Sequence, residues 1–223
     1  MALYIVATPI GNAKDITLRA LETLQEVDLI LCEDTRHSGQ LLHNYNIKKP
    51  LLSFHEHNEI VRIPEIINRL KNGEEIALIS DAGTPLISDP GFKLVRAARE
   101  EGLEVKSIPG PNAAIAALSI AGLPTDKFLF VGYLPKTSGK REDLLKKLVE
   151  IKASLPMSFI FYEGPHHLDK LLENLEAFFP DSQISIQKEL TKLHEEVNNG
   201  TIRDLRERYR VKNIKGEFTL IVY

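Results

Sequence analysis

The feature that most constrains this 223-residue chain is a repeated alternation in its first half. Short apolar runs at 3–7, 29–33, 51–54, 76–80 and 104–108 are separated by helix-like stretches at 15–26, 38–45, 59–72 and 90–101. In 15–26 the apolar residues Ile16, Leu18, Leu21, Leu24 and Val27 recur mostly at three- and four-residue steps, as one helix face requires. Asp15 is the expected N-cap of that helix. Continuous apolar strands alternating with helices predict an α/β unit with a parallel sheet buried on both faces.

Pro109-Gly110-Pro111-Asn112 interrupts the pattern, an Ala-rich helix is expected at 113–121, and Gly122-Leu123-Pro124 interrupts it again. Two α/β domains, 1–115 and 116–223, are therefore expected. The second half offers strands at 128–133, 158–162, 184–188 and 219–222, and helices at 141–152, 168–179 and 201–209. No apolar run is long enough to span a bilayer, and the first residues lack a leader pattern. The single cysteine, Cys32, sits in an apolar run, so it reads as a buried small hydrophobe with no disulfide partner, consistent with a cytoplasmic protein. A net charge of −3 excludes nucleic-acid binding by bulk electrostatics and leaves only local basic patches.

Ligands of open parallel sheets gather beyond the carboxyl ends of the strands. Four unusual loops fall there. Ala7-Thr8-Pro9-Ile10-Gly11-Asn12 lacks both the dinucleotide and the P-loop glycine fingerprints. Glu33-Asp34-Thr35-Arg36 is either a ligand cluster or a helix start capped by Asp34 or Thr35. Ser80-Asp81-Ala82-Gly83-Thr84-Pro85-Leu86-Ile87-Ser88-Asp89-Pro90-Gly91 carries more glycine, proline and aspartate than a plain turn needs. Gly83 permits close backbone approach to a ligand, while Asp89-Pro90 reads as N-cap and first helical position. In Pro109-Gly110-Pro111-Asn112, Asn112 either caps the next helix or binds a ligand, and small Ala113 and Ala116 leave room for a flat ring.

Other clusters stay open between two readings. His55-Glu56-His57 lacks a third metal ligand at a fixed spacing, so polar loop histidines are expected and no metal. His166-His167 reads as a polar helix end. The segment from Glu189 to Glu196, containing Lys192, is either a solvated loop or part of a site. Lys136, Lys140 and Arg141 in a Gly/Ser loop are the better candidates for RNA phosphate. Arg203, Arg206, Arg208, Arg210, Lys212 and Lys215 are equally a solvated surface.

These segments, with Asp15-Ile16-Thr17-Leu18-Arg19-Ala20-Leu21 and Phe161-Tyr162-Glu163-Gly164-Pro165, resemble the tetrapyrrole methylases. Within them the likeness is to the bacterial cytidine 2'-O-methyltransferases of small-subunit rRNA, and it covers nearly the whole chain. The resemblance implies a class III S-adenosylmethionine-dependent fold with the cofactor in the cleft between two domains. It implies a homodimer acting on 16S rRNA in the small ribosomal subunit. Cofactor contacts are then expected at Pro9, Asp81, Gly83, Thr84, Pro85, Ile87, Asn112 and Ala113, and near Phe161 or Tyr162. Candidate catalytic groups are Glu33, Asp34, Arg36 and Lys192, with Asp81 and His55 as further bases for the ribose hydroxyl. Arg36 can hold a phosphate with its planar fork. Gly164 and His167 depart from the serine and arginine usual in the family. Many members also continue beyond the equivalent of Tyr223, so RNA contacts from such an extension are not expected. A same-fold methyltransferase acting on a tetrapyrrole or other small molecule is the alternative.

Overall fold

The computed structural model describes residues 1–210 and 214–223 in two compact units, Met1–Asn112 and Ala113–Tyr223. Lys212 of the last basic run lies outside the described residues.

The first unit is a five-stranded sheet of β1 (Ala2–Val6), β2 (Leu29–Cys32), β3 (Leu51–Ser53), β4 (Ile76–Leu78) and β5 (Glu104–Ile108). All neighbours are parallel, in the order β3-β2-β4-β1-β5. The helices are α1 (Leu18–Glu26), α2 (Thr35–Asn44), α3 (Glu59–Lys71) and α4 (Phe92–Glu100). Successive strand side chains point to opposite faces. Leu29, Leu31, Ile76 and Leu78 accordingly pack with Ile66, Leu70 and Leu94 of α3 and α4. Ile30, Cys32, Ala77 and Ile79 pack with Ala20, Leu24 and Leu42 of α1 and α2. This two-sided burial explains the unbroken apolar runs, and Cys32 is fully buried as expected.

Strand order also places the ligand-bearing edge. β1 and β4 are neighbours, yet the chain leaves β1 toward β2 and leaves β4 toward β5. Each connection crosses the other strand, β1 leading to α1 on one face of the sheet and β4 to α4 on the other, so the two loops that follow meet at the carboxyl edge, where ligands of parallel sheets gather.

Two expected N-caps are not used. Residues Ala13–Asp15 form a separate 3-10 turn, Ile16 is extended, and Thr17 caps α1 by accepting from the Ala20 N–H at 3.1 Å. Asp15 is thus not the cap. Nor do Asp89 and Pro90 open α4: its N-cap is Gly91, at φ 126°, and Phe92 is the first helical residue. The Asp89 carboxylate is engaged instead by the Ser80 hydroxyl.

The second unit holds β6 (Phe128–Gly132), β7 (Ser158–Glu163), β8 (Gln183–Lys188), β9 (Glu196–Thr201) and β10 (Phe218–Val222), in the order β6-β7-β10-β8-β9. Only β6 and β7 pair in parallel; β10 is antiparallel to both neighbours, and β8 to β9. Its helices are α5 (Ala113–Ile120), α6 (Ser138–Ser154), α7 (Leu168–Phe178) and α8 (Ile202–Tyr209). Phe159, Phe161, Ile184, Ile186, Leu220 and Val222 face the core built with α6, α7 and α8. Tyr162, one residue on from Phe161, points to the opposite face, where its hydroxyl accepts from the Ala114 N–H of α5 at 2.9 Å.

The β9 strand is absent from the sequence reading, which treats residues up to Glu196 as a loop. Its sequence, EVNNGT, has poor strand propensity. It forms because β8 presents a full antiparallel ladder from Gln183↔Thr201 to Lys188↔Glu196. The cross-strand pair Lys188–Glu196, at 2.6 Å, and the Asn198 amide donating to the Tyr209 hydroxyl at 2.7 Å hold it in place. The helix α6 likewise begins at Ser138, so Lys140 and Arg141 lie in its first turn rather than in a loop.

Candidate functional site

The four loops singled out by composition all follow strands of the first sheet, and their hydrogen bonds join them into one array. Thr8, fully buried, exchanges two backbone hydrogen bonds with Gly83, N–H to O at 2.8 Å and 3.1 Å. Its hydroxyl donates to the Ser80 carbonyl at 3.1 Å. The loop after β1 is thereby fastened to the loop after β4. Thr84 extends the tie, its hydroxyl donating to the Pro111 carbonyl after β5 at 2.9 Å. On the other side, the Asp34 N–H after β2 donates to Asp81 Oδ1 at 3.3 Å, and His37 Nε2 lies 3.2 Å from the Asp81 carbonyl. Thr8 and His37 were not read as site residues; neither stands out in a local window, because both act through partners more than forty positions away.

The loop from Ser80 to Gly91 is conformationally unusual. Gly83 and Gly91 have φ of 83° and 126°, and two non-glycine residues, Leu86 and Ser88, have φ of 75° and 68°. Such left-handed residues cost about 1–3 kcal/mol each in the worst cases and persist where the surroundings over-determine them, often at ligand sites. A Cβ on Gly83 would stand 3.3 Å from Ile10 Cγ2. A Cβ on Gly110, in the neighbouring loop, would stand 3.0 Å from Ala7 Cβ. Glycine is needed at both positions to let these loops approach one another.

The array concentrates carboxyl groups. Burial pushes the Glu33 carboxyl up to about 7, helped by repulsion from Asp89, Asp81 and Glu56. Burial also pushes Asp89 up to about 6, with Asp81 adding to the effect. Asp89 was read only as a helix cap; its part in this cluster depends on the path of the 80–91 loop. Asp34 behaves oppositely. Its carboxylate is held well below the usual range by the Arg36 side chain and by the Arg36 and His37 backbone N–H groups. It caps α2, accepting from the Arg36 N–H at 2.8 Å, as one of the two sequence readings required. It also receives the Arg36 fork, Nε at 3.2 Å and Nη2 at 2.8 Å.

The cofactor candidates divide by unit. Pro9, Asp81, Gly83, Thr84, Pro85, Ile87 and Asn112 belong to the first, Ala113, Phe161 and Tyr162 to the second. Pro9 and Pro85 are buried, while Ile87 is exposed. The Phe161 ring is enclosed in the core of its own unit, so only its backbone can meet a ligand. Tyr162 is tied to α5 and stands edge-on to Phe130 and Tyr133.

Lys192 is occupied. Its ammonium lies 2.9 Å from Glu189 and 2.9 Å from Glu217 in the second unit. Burial lowers its pKa, but hydrogen bonds to both carboxylates outweigh that and raise it, which favours the protonated form. Nearby, Arg141 Nη1 reaches the Pro135 carbonyl at 3.5 Å, and its Nε is buried without a partner. Burial raises Glu163 in the same region, with the Gly164 N–H, His167 and Arg141 opposing it. Among the described residues, His, Cys, Asp and Glu form no group of three able to hold a metal; His55 is instead bound to Asn58, Nε2 to Nδ2 at 3.2 Å. No described helix is long and apolar enough to cross a membrane.

Comparison with known proteins identifies the scaffold as a methylase. The family described as Tetrapyrrole (Corrin/Porphyrin) Methylases matches residues 2–206. A Haemophilus influenzae protein named ribosomal RNA small subunit methyltransferase I is 50% identical over 99% of this chain and 77% of its own length. Its namesakes from Escherichia coli O157:H7 and Thermotoga maritima are 47% and 45% identical over 99% of this chain, and over 77% and 97% of their own lengths. Among solved structures, uroporphyrin-III-C-methyltransferase from Thermus thermophilus is similar at a TM-score of 0.66 and 21% identity, over 99% of this chain and 93% of that one. A cobalt precorrin-4 methyltransferase gives 0.69 and 17%, over 99% and 94%. At such identity these two structures speak to the fold.

Proposed function

The chain belongs to the tetrapyrrole (corrin/porphyrin) methylase family and, within it, to the ribosomal RNA small subunit methyltransferase I group, and on that premise we propose that it methylates a ribose 2'-hydroxyl of a cytidine in 16S rRNA, using S-adenosylmethionine. The observation that carries the reading is the single hydrogen-bonded array at the carboxyl edge of the first sheet, which joins the loops after β1, β2, β4 and β5.

The residues present fit the cofactor. Its methionine end carries an ammonium, a carboxylate and a sulfonium, one net positive charge, and Glu33, Asp81 and Asp89 crowd together with Glu33 raised to about 7 and Asp89 to about 6. A cation placed beside them relieves their mutual repulsion. Gly83, with both backbone groups bonded to Thr8, sets the path of the loop, and Pro9, Asp81, Thr84, Pro85, Ile87, Asn112 and Ala113 complete the proposed contacts, with Tyr162 and the Phe161 backbone. The bound cofactor supplies an activated methyl group. The protein's part is to align it with the acceptor and to remove the acceptor's proton.

Glu33 is the best-suited proton acceptor of the catalytic candidates. Burial raises it and the cofactor's net positive charge draws it back, so in the complex its ionised form is available to take a proton. Asp34 is committed to the α2 cap and Arg36, and Lys192 to its two carboxylates. RNA phosphates are assigned to Lys136, Lys140 and Arg141 at the start of α6, and to Arg36. A cytoplasmic homodimer acting on the assembled small subunit completes the proposal; of these, the relatives' names speak to the small-subunit rRNA substrate alone.

Labelled S-adenosylmethionine supplied with small subunits from a strain lacking the enzyme tests the reading. Label is expected on one cytidine ribose; label on a base, or none on RNA, overturns it. Gly83→Val, which forces a branched side chain at φ 83° against Ile10, is expected to lower cofactor affinity at least about tenfold.

A further inference from the structure

Arg36 is built in a way that surface stability does not explain. Its side chain is 90% exposed, yet two of its donors, Nε and Nη2, are fixed on the Asp34 carboxylate at 3.2 Å and 2.8 Å. Exposed ion pairs contribute little to stability. Arg36 is also the second residue of α2, where a positive side chain opposes the helix dipole. The carboxylate that holds it is itself anchored. Asp34 Oδ1 accepts from the Arg36 and His37 backbone N–H groups at 2.8 Å and 3.4 Å, and the Asp34 N–H is bound to Asp81 at 3.3 Å. The result is a planar cation on an exposed edge with its orientation set in advance, while the two N–H bonds of Nη1 and one of Nη2 are not used by Asp34.

The position gives that cation a chemical context. Arg36 follows Glu33 by three residues, on the first turn after β2, and the 2'-hydroxyl of a ribose neighbours the 3'-phosphate of the same nucleotide. A base that takes the hydroxyl proton and a fork that holds the adjacent phosphate are thus wanted side by side. Arginine suits the second task because its donors match two phosphate oxygens at once.

We propose that Asp34 is a positioning residue that presents the Arg36 guanidinium to the RNA phosphate flanking the methylated ribose. The inference rests on the RNA 2'-O-methyltransferase reading and deepens it, by assigning one element of substrate recognition to a preset salt bridge. Asp34 acts through Arg36, and it is Arg36 that touches the substrate. Preorganisation of this kind reduces the side-chain freedom lost when the complex forms.

The test compares wild type with Arg36→Ala, Arg36→Lys and Asp34→Asn, using unmethylated small subunits and S-adenosylmethionine. Four quantities are measured: kcat, KM for the subunit over a range of salt, cofactor affinity and melting temperature. Asparagine caps a helix about as well as aspartate, so Asp34→Asn keeps α2 intact while discharging the grip on Arg36. Arg36→Ala is expected to raise KM for the subunit about tenfold and to flatten the salt dependence of log KM by about one phosphate contact. Arg36→Lys and Asp34→Asn are each expected to raise KM about threefold, with cofactor affinity unchanged. An unaltered KM and salt slope in Arg36→Ala overturns the phosphate assignment while the enzyme's activity on RNA stands. An effect of Arg36→Ala with none of Asp34→Asn overturns the positioning role alone. Failure of the wild type to methylate RNA ribose brings down the functional reading, and this inference with it.

Discussion

The carboxyl edges of the two sheets differ in how far their charges are satisfied. At the second edge, beyond β8, a lysine sits between two carboxylates: Lys192 bridges Glu189 and Glu217 at 2.9 Å each. At the first edge, Glu33, Asp81 and Asp89 gather without a matching cation among them, and burial with mutual repulsion raises Glu33 and Asp89. The first edge also holds four left-handed residues in one loop, at Gly83, Leu86, Ser88 and Gly91. Among its described residues the second has as many, Gly132, Glu189, Thr191 and Gly216, but spread over separate connections, so it is the charge that distinguishes the two edges. Clusters of buried carboxyls that raise one another mark candidate functional sites, and among the described residues the second edge has only the single raised carboxyl of Glu163, opposed by Arg141 and His167. The contrast supports the proposed placement of the chemistry at the first edge.

The largest expected effect comes from removing the proposed proton acceptor. Glu33→Gln should lower the methylation rate by about 10²–10⁴-fold with cofactor still bound, as single-turnover kinetics would show. A drop of less than about threefold would remove Glu33 from catalysis. Next is the strained loop. Gly91→Ala places a Cβ 2.6 Å from Leu78 Cδ2 at φ 126°, so chemical denaturation should show a loss of about 1–3 kcal/mol.

A smaller effect concerns pH. Glu33 and Asp89 have raised pKa values, so the folded protein binds protons that the unfolded chain has released. Their stabilisation is full below about pH 4 and fades as pH rises to about 7. Glu33→Gln should therefore gain on wild type by about 1 kcal/mol between pH 5 and pH 8, the discount reflecting a partly exposed group. A difference between the two melting curves that does not change with pH would show that Glu33 is not raised. The smallest effect belongs to the satisfied edge. Lys192→Met should cost about 0.5–1 kcal/mol of stability and change the methylation rate least of these variants. A rate loss as large as that of Glu33→Gln would reverse the assignment of chemistry between the two edges.

Much of the first unit was legible because its signals are local or periodic. Unbroken apolar strands such as Leu29-Ile30-Leu31-Cys32 predicted a sheet buried on both faces, and the two core clusters divide those residues by alternate positions. Asp34 was readable as a cap because a cap acts within its own turn. Asp15 and Asp89 misled for the same reason: each has the right residue type two residues early, and the chain uses Thr17 and Gly91 instead. The β9 strand was invisible because its stability comes from β8 and from Tyr209, not from its own six residues. Phe161 and Tyr162, adjacent and both aromatic, looked equivalent until the pleat sent one into the core and the other to α5.

What the amino-acid order determined by itself was the class of fold, the unusual loops and the short-range devices within them. Propensity, periodicity and capping act over a few residues and can be read along a line. Only the tertiary structure decided that Thr8 holds Gly83, that Asp81 meets Asp34, and that Glu33 shares its surroundings with Asp89. Those relations depend on a strand order that sets β4 between β2 and β1, and through-space charge interaction follows distance, not sequence separation.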